Sequence, residues 1–203
     1  MTALAGLLTG ILVGSLPSAD LLARVWGVDL RAGGTGNPGA NNALQLGGRK
    51  LAAAVVTAEF AKGVLAVWLG RRLGEDAGGA LAAVGATVGN VYNPWFRLRG
   101  GKGLAITGGI LGAAWPPTLA VLVVVIAVSL TAFRRSGPAA LLTLAVYVAG
   151  ALVGLVVDLP VGWGLTSPGW LAIMAVGSTA VMAPKHAIDT LTPSAPGASR
   201  RAP

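Results

Sequence analysis

The sequence predicts an all-α membrane protein: seven transmembrane helices, the N-terminus outside, the C-terminus cytoplasmic and the fourth helix short. Three observations predict it. The chain is 54% apolar and only 11% charged, with a mean hydropathy of +0.74, whereas soluble domains are about 25% charged. Seven apolar stretches lie at residues 3–22, 51–69, 78–96, 103–115, 117–133, 139–157 and 168–184, and about 20 apolar residues cross a bilayer, with roughly 17 as the lower limit. Finally, the basic residues fall almost entirely on alternate loops, as the positive-inside bias requires.

The first stretch begins at "MTALAG", which lacks a basic leader, so it reads as a retained span rather than a cleaved signal. It ends at "GSLPSADLL", where Ser15 and Pro17 mark either a simple proline kink or a broken helix end with a hydroxyl facing a cavity. The inner loop that follows carries Arg24, Arg31, Arg49 and Lys50 and the polar run "GGTGNPGANN", residues 33–42. The second span carries Glu59 and Lys62 at i, i+3, on one helical face. Charges at membrane depth are costly and are paired or face water, so a structural ion pair and a site role both remain open. The outer turn holds Arg71 and Arg72 beside Glu75 and Asp76. The third span ends in "GNVYNPWF" and leads to the second inner loop, "RLRGGKG", with Arg97, Arg99 and Lys102.

The fourth stretch, "GLAITGGILGAAW", is short. If it did not cross, Arg134 and Arg135 would fall outside. With seven crossings, twelve basic residues lie inside: the seven already placed there, Arg134, Arg135, Lys185, Arg200 and Arg201. Residues 1–190 therefore read as one transmembrane domain, and 191–203, "TPSAPGASRRAP" with the residue before it, as a disordered cytoplasmic tail.

The chain has 31 glycines. Gly6, Gly10 and Gly14 repeat every four residues, as do the pairs Gly85 and Gly89, Gly108 and Gly112, and Gly150 and Gly154; this spacing lets membrane helices approach closely. The loop glycines lie on no helix face. Both glycine-rich loops fall on the inner side, where positive φ and successive turns can aim several N–H groups at an anion. Lys102 adds a charge, and Gly103 opens the fourth helix, whose N-terminus favours an anion. The loop is not a Walker A motif: the spacing fails and no Ser or Thr follows the lysine. GGKG by itself fits a plain cytosolic turn equally well.

Other machinery is missing. There is no cysteine, one histidine (His186) and seven acids. Disulfides, thiol catalysis and a metal cluster are excluded, and no cofactor is implied. Asp189 follows His186 at i+3, so the H-x-x-x-x-D acyltransferase signature is absent, and no G-x-S-x-G elbow occurs. A site here would work by positioning and by stabilising negative charge. The basic residues are scattered without an aromatic platform, which argues against nucleic acid as a partner.

The ordered motifs "GSLPSADLLAR…VDLRAGGTGNPGANN…EFAKG…GNVYNPWFRLRGGKG" resemble the PlsY family, bacterial integral-membrane glycerol-3-phosphate acyltransferases that use acyl phosphate. The resemblance runs from about residue 14 to 112. It implies seven spans in the cytoplasmic (inner) membrane and a site built from cytoplasmic loops. It also implies transfer of a fatty acyl group from acyl phosphate to glycerol-3-phosphate, giving lysophosphatidic acid and phosphate for phospholipid synthesis. The implied partners are these two substrates, membrane lipids and a soluble acyl-phosphate-producing enzyme, PlsX.

The catalytic positions it implies are Ser15, Arg31, Lys102, Ser136 and His186. The substrate-binding positions are Gly34, Gly36, Asn37, Gly39 and Asn42 in the first loop, Glu59, Lys62 and Asn90 in the spans, and Gly100, Gly101 and Gly103 in the second loop. The chain departs from the family pattern at four places. Asn90 stands where the family has histidine, Glu59 replaces an aspartate, Asn41 replaces a threonine, and "PKHAI", residues 184–188, replaces H-R-E-N-I. His186 fits either a shifted family histidine or an ordinary polar helix end. Two other functions stay open: a diverged relative with another acceptor or no catalysis, and a small-anion transporter using Glu59 and Lys62.

Overall fold

The computed structural model describes residues 2–160 and 163–191; most of the predicted tail lies outside them. The described residues are helical, with no strand. In order, the helices are α1 (Thr2–Ser15), α2 (Ser18–Val25), α3 (Ala40–Val91), a 3-10 turn (Pro94–Phe96), α4 (Leu104–Ala114), α5 (Pro116–Phe133), α6 (Ser136–Val156) and α7 (Pro168–Leu191). Among the described residues, five helical stretches are long and apolar enough to span a membrane: Thr2–Val25, Ala40–Phe96, Pro116–Phe133, Ser136–Val156 and Pro168–Leu191. The chain is a multi-pass membrane protein.

The 57-residue stretch Ala40–Phe96 is not one straight rod. Non-helical backbone at Gly48, Gly74 and Glu75 breaks α3. Gly70 and Gly78 lie against each other's backbone, which a straight helix of 1.5 Å rise per residue forbids. The chain therefore folds back at Gly74–Glu75 into two antiparallel arms, 49–73 and 76–91. They correspond to the second and third apolar stretches of the sequence. α4 is short, as predicted, with only 11 residues.

Pro17 divides the first predicted stretch. Proline offers no N–H and its ring collides with the carbonyl four residues back, so α1 stops at Ser15 and α2 starts anew at Ser18. The freed carbonyls find side-chain donors from α3 and the turn after it. Lys62 Nζ donates to the carbonyls of Gly14 and Leu16 at 3.2 and 2.8 Å, and Asn93 Nδ2 donates to that of Ser15 at 2.8 Å. The ammonium also suits the negative end of the α1 dipole.

The glycine spacing holds where α1 meets the second arm. A Cβ on Gly6, Gly10 or Gly14 would strike the backbone of Gly78, Ala82 or Ala86, and one on Gly85 or Gly89 would strike that of Leu7 or Ile11. The two backbones interlock along the whole contact. Gly108 and Gly112 make room for the Phe60 ring in the same way. Gly150 is different: nothing lies within 4 Å of the Cβ it would carry, so spacing alone over-predicted packing there. Its helix, α6, turns that residue away from its neighbours.

Two ends can be told apart. At one, Thr2 lies against Gly74, Asp76 Oδ2 accepts from the N–H of Thr166 and of Ser167 and from Thr166 Oγ1, and Leu165 N–H donates to Ala114. The opposite end gathers the α1–α2 break, both glycine-rich loops and the last two turns of α7.

Candidate active site

The first glycine-rich loop is built by its own side chains. Asp29 Oδ1 accepts the N–H of Arg31 at 2.8 Å and of Ala32 at 3.1 Å, and those two bonds hold its carboxyl below the usual range. Asn42 is buried; its Nδ2 donates to the carbonyls of Leu30 (2.7 Å) and Gly33 (3.2 Å), and its Oδ1 accepts the N–H of Thr35 at 2.9 Å. Both amide hydrogens of Asn42 are used inside the loop, so it organises the loop rather than offering them to a ligand. Gly34 and Gly36 have φ of 59° and 67°, left-handed values that favour glycine. A side chain on Gly34 would also collide with Asn42 Oδ1. Asn37 sits in the turn before Gly39, whose N–H returns to the Asn37 carbonyl at 2.8 Å.

Arg31 ties this loop to the second one. Its Nε and Nη2 donate to the two oxygens of Asp20 at 2.8 and 2.9 Å, a fork-to-fork pair of the strong kind. Its Nη1 donates to the Arg99 carbonyl at 2.6 Å, and the guanidinium stacks 3.5 Å from the Phe96 ring centroid. Gly101 lies beside the Pro38 carbonyl. The two loops meet, as the sequence predicts.

Beneath them lies a small polar pocket lined by Asp20, Arg31, Glu59, Lys62, Asn90 and Gly101, among others. Its floor is a closed network. Glu59 pairs with Lys62 at 2.9 Å and accepts from Ser18 Oγ and Asn90 Nδ2, both at 2.5 Å. The two residues that depart from the family pattern inside the spans, Glu59 and Asn90, thus touch each other. Ser15 is buried just below: its hydroxyl donates to the Leu12 carbonyl and accepts from Trp95 Nε1 at 3.2 Å. A larger, mostly apolar groove of about 420 Å³ lies elsewhere, along Val67, Trp68, Arg71 and Ala113. It holds none of the predicted site residues.

The second loop departs from expectation in detail. The N–H groups of Gly100 and Gly101 donate to the carbonyls of Val91 and Asn90 at 3.2 and 3.0 Å. They do not join an anion nest, because the loop needs them to pair with the end of α3. The N–H groups of Lys102 and Gly103 have no acceptor among the described residues. Gly103 has φ 88° and precedes α4 without a side-chain cap; Gly39 precedes α3 likewise uncapped. Two bare helix N-termini therefore flank the place where the loops meet, and each favours negative charge.

Lys102 does not point into the pocket. Its ammonium pairs with Asp189 of α7. That end of α7 also carries Lys185, and Arg135 reaches it from the α5–α6 turn, so a carboxylate there balances a crowd of positive charge. His186 is fully buried, with Nε2 3.2 Å from the Lys102 carbonyl. A carbonyl only accepts, so Nε2 carries the proton and donates. Nδ1 has no partner among the described residues. Ser136 is exposed at the start of α6; the next residue, Gly137, packs against the His186 carbonyl, so Ser136 lies on the α7 side of the site.

Two residues escaped sequence reading. Asp189 holds Lys102, and Lys185 donates to the carbonyls of Val91 (2.7 Å), Gly100 (2.8 Å) and Gly101 (3.1 Å). The signal was a cluster of polar residues at i, i+1 and i+4 at the end of an otherwise apolar span. In it, Lys185 read only as charge on the inner side and Asp189 only as an acid too near His186 for the H-x-x-x-x-D spacing.

The sequence model for glycerol-3-phosphate acyltransferase matches residues 4–191. The chain is 39% identical over 180 residues to "Glycerol-3-phosphate acyltransferase 1" of Deinococcus radiodurans, covering 87% of each protein. It is 42% identical over 122 residues to "Glycerol-3-phosphate acyltransferase" of Synechococcus sp., covering 59% of this chain and 60% of that one. Among solved structures, the fold matches PlsY, an integral membrane glycerol 3-phosphate acyltransferase. The TM-score is 0.76 at 23% identity for its glycerol 3-phosphate form, covering 94% of this chain and 91% of that one. The lysophosphatidic acid form gives 0.74 at 22% over the same shares.

Proposed function

The chain belongs to the glycerol-3-phosphate acyltransferase family, and on that footing we propose that it transfers a fatty acyl group from acyl phosphate to a hydroxyl of glycerol-3-phosphate. The chain crosses the bacterial inner membrane seven times, counting the two arms of α3 separately. The N-terminus lies outside, and the glycine loops and the end of α7 lie in the cytoplasm. The positive-inside bias supports that orientation. Acyl phosphate reaches this end from a soluble producing enzyme such as PlsX.

One observation carries the reading: two uncapped helix N-termini, the free N–H groups of Lys102 and Gly103, and Arg31 converge where the two loops meet. Fixed donors and positive charge of this kind stabilise phosphate and the oxyanion that develops during acyl transfer. The substrate hydroxyl oxygen attacks the acyl carbon, the bond from that carbon to the phosphate oxygen breaks, and phosphate leaves with its electron pair. The hydroxyl proton passes to a phosphate oxygen or to water. An acyl phosphate already has a good leaving group, so the protein needs to position two phosphates and supply charge. His186 serves this by holding the Lys102 carbonyl; its buried Nε2–H is a donor, not a base.

Purified protein given acyl phosphate and glycerol-3-phosphate will form lysophosphatidic acid, detected by mass spectrometry. Arg31→Ala and Lys102→Ala will each abolish most of that product. Undiminished turnover in both would overturn the site. The closed Glu59–Lys62–Asn90–Ser18 network offers no open polar path, which weighs against anion transport.

A further inference from the structure

Among the charged groups around the loops are Arg31, Lys62, Lys102 and Lys185 and, of opposite sign, Asp20, Glu59 and Asp189. Three pairs form: Arg31 with Asp20, Lys62 with Glu59, Lys102 with Asp189. Lys185 alone among them has no carboxylate. Its ammonium donates instead to three carbonyls, those of Val91, Gly100 and Gly101, and His186 beside it takes a fourth, that of Lys102.

This arrangement fixes the direction of each peptide unit. The described chain has no cis peptide, and in a planar trans peptide the C=O and the following N–H point opposite ways. The Gly100 carbonyl turned to Lys185 sends the Gly101 N–H away from it, and that N–H meets the Asn90 carbonyl as the rule requires. The Gly101 carbonyl turned to Lys185 sends the Lys102 N–H away from α7. The Lys102 carbonyl turned to His186 does the same to the Gly103 N–H. These last two are the N–H groups without an acceptor.

We infer that Lys185 is a positioning residue for phosphate recognition: by gathering the loop carbonyls onto α7 it turns the Lys102 and Gly103 amides outward as an anion-binding pair. The inference rests on the proposed function, since it assumes that the loop grips substrate phosphate. Without the ammonium, the Gly100 and Gly101 carbonyls lose their donor, that of Val91 keeps only the Gly100 N–H, and the peptide units are free to rotate. Carbonyl oxygens then share the place where the phosphate sits and repel it.

The experiment is steady-state kinetics on the full chain in detergent or nanodiscs, with inorganic phosphate as competing probe, for Lys185→Met, Lys185→Arg and Lys102→Ala. Hydrogen bonds to a charged group contribute about 1.5–3 kcal/mol, so Lys185→Met raises the glycerol-3-phosphate KM and the phosphate inhibition constant by on the order of tenfold or more, with kcat much less affected. Lys185→Arg keeps the charge on a planar fork that matches three converging carbonyls poorly, and it recovers part of the loss. If Lys185→Met does not purify, Lys185→Gln takes its place with the same expected change. Unchanged KM and phosphate inhibition, or a fall in kcat alone, overturns the role of Lys185. Lys102→Ala separates the two ideas. Damage there with a silent Lys185 variant rejects only the positioning role, while turnover undiminished in both Lys102→Ala and Arg31→Ala rejects the phosphate site itself.

Discussion

Removing Lys62 tests the energetics of the site floor most directly. Lys62 is 6% exposed and its partner Glu59 7%. Lys62→Met keeps the length of the side chain but strips the charge. Breaking a buried pair on one side costs about 3–5 kcal/mol, because the other charge stays buried without compensation. The Gly14 carbonyl also loses its donor, at about 1–3 kcal/mol for a group left unsatisfied, while that of Leu16 keeps the Ser18 N–H. These terms overlap, so the expected loss is at least about 3 kcal/mol, a large share of the roughly 5–15 kcal/mol that holds a typical protein folded. Chemical denaturation in mixed micelles, followed by tryptophan fluorescence, measures it. The double variant Glu59→Gln with Lys62→Met will be more stable than Lys62→Met alone, since the stranded carboxylate is gone. A single variant within about 1 kcal/mol of wild type would refute the buried-charge reasoning.

Three further outcomes follow from the same geometry. Gly10→Val will push α1 off the second arm, because its Cβ meets the Ala82 backbone; a drop in thermal midpoint larger than that of Gly150→Val, which opens onto free space, is the readout. Glu59→Asp withdraws the carboxylate from Asn90 Nδ2 and Ser18 Oγ; adding Asn90→His extends the partner side chain and will restore part of the lost stability in a double-mutant cycle. Asp189→Asn removes the carboxylate that holds Lys102, so inorganic phosphate will inhibit more tightly, and equal inhibition would show that the pair does not compete with anions.

Hydropathy and charge exposed most of the helical order, because the bilayer leaves few ways to satisfy a backbone. The close packing of Gly6, Gly10 and Gly14 was legible for the same reason: a four-residue repeat keeps small residues on one face. The repeat could not say which faces meet another helix, hence the error at Gly150. Pro17 announced a break, but not that Lys62 and Asn93, 45 and 76 residues further along the sequence, would receive the freed carbonyls. The loop motifs pointed to the end of the molecule where the two loops meet. The division of labour inside it was hidden, since a side chain that holds a loop and one that touches a ligand are the same residue types. Asn42 turned inward, and Lys185 proved to be more than membrane-edge charge, only once long-range contacts were known.

The clasp between Lys62 and the frayed end of the first helix also bears on assembly. A lysine carried into lipid needs acceptors on arrival, and the carbonyls of Gly14 and Leu16 belong to a segment synthesised earlier. The leading helix thus already carries the acceptors when the hairpin is synthesised, and in the folded chain it is the dock against which the charged arm rests.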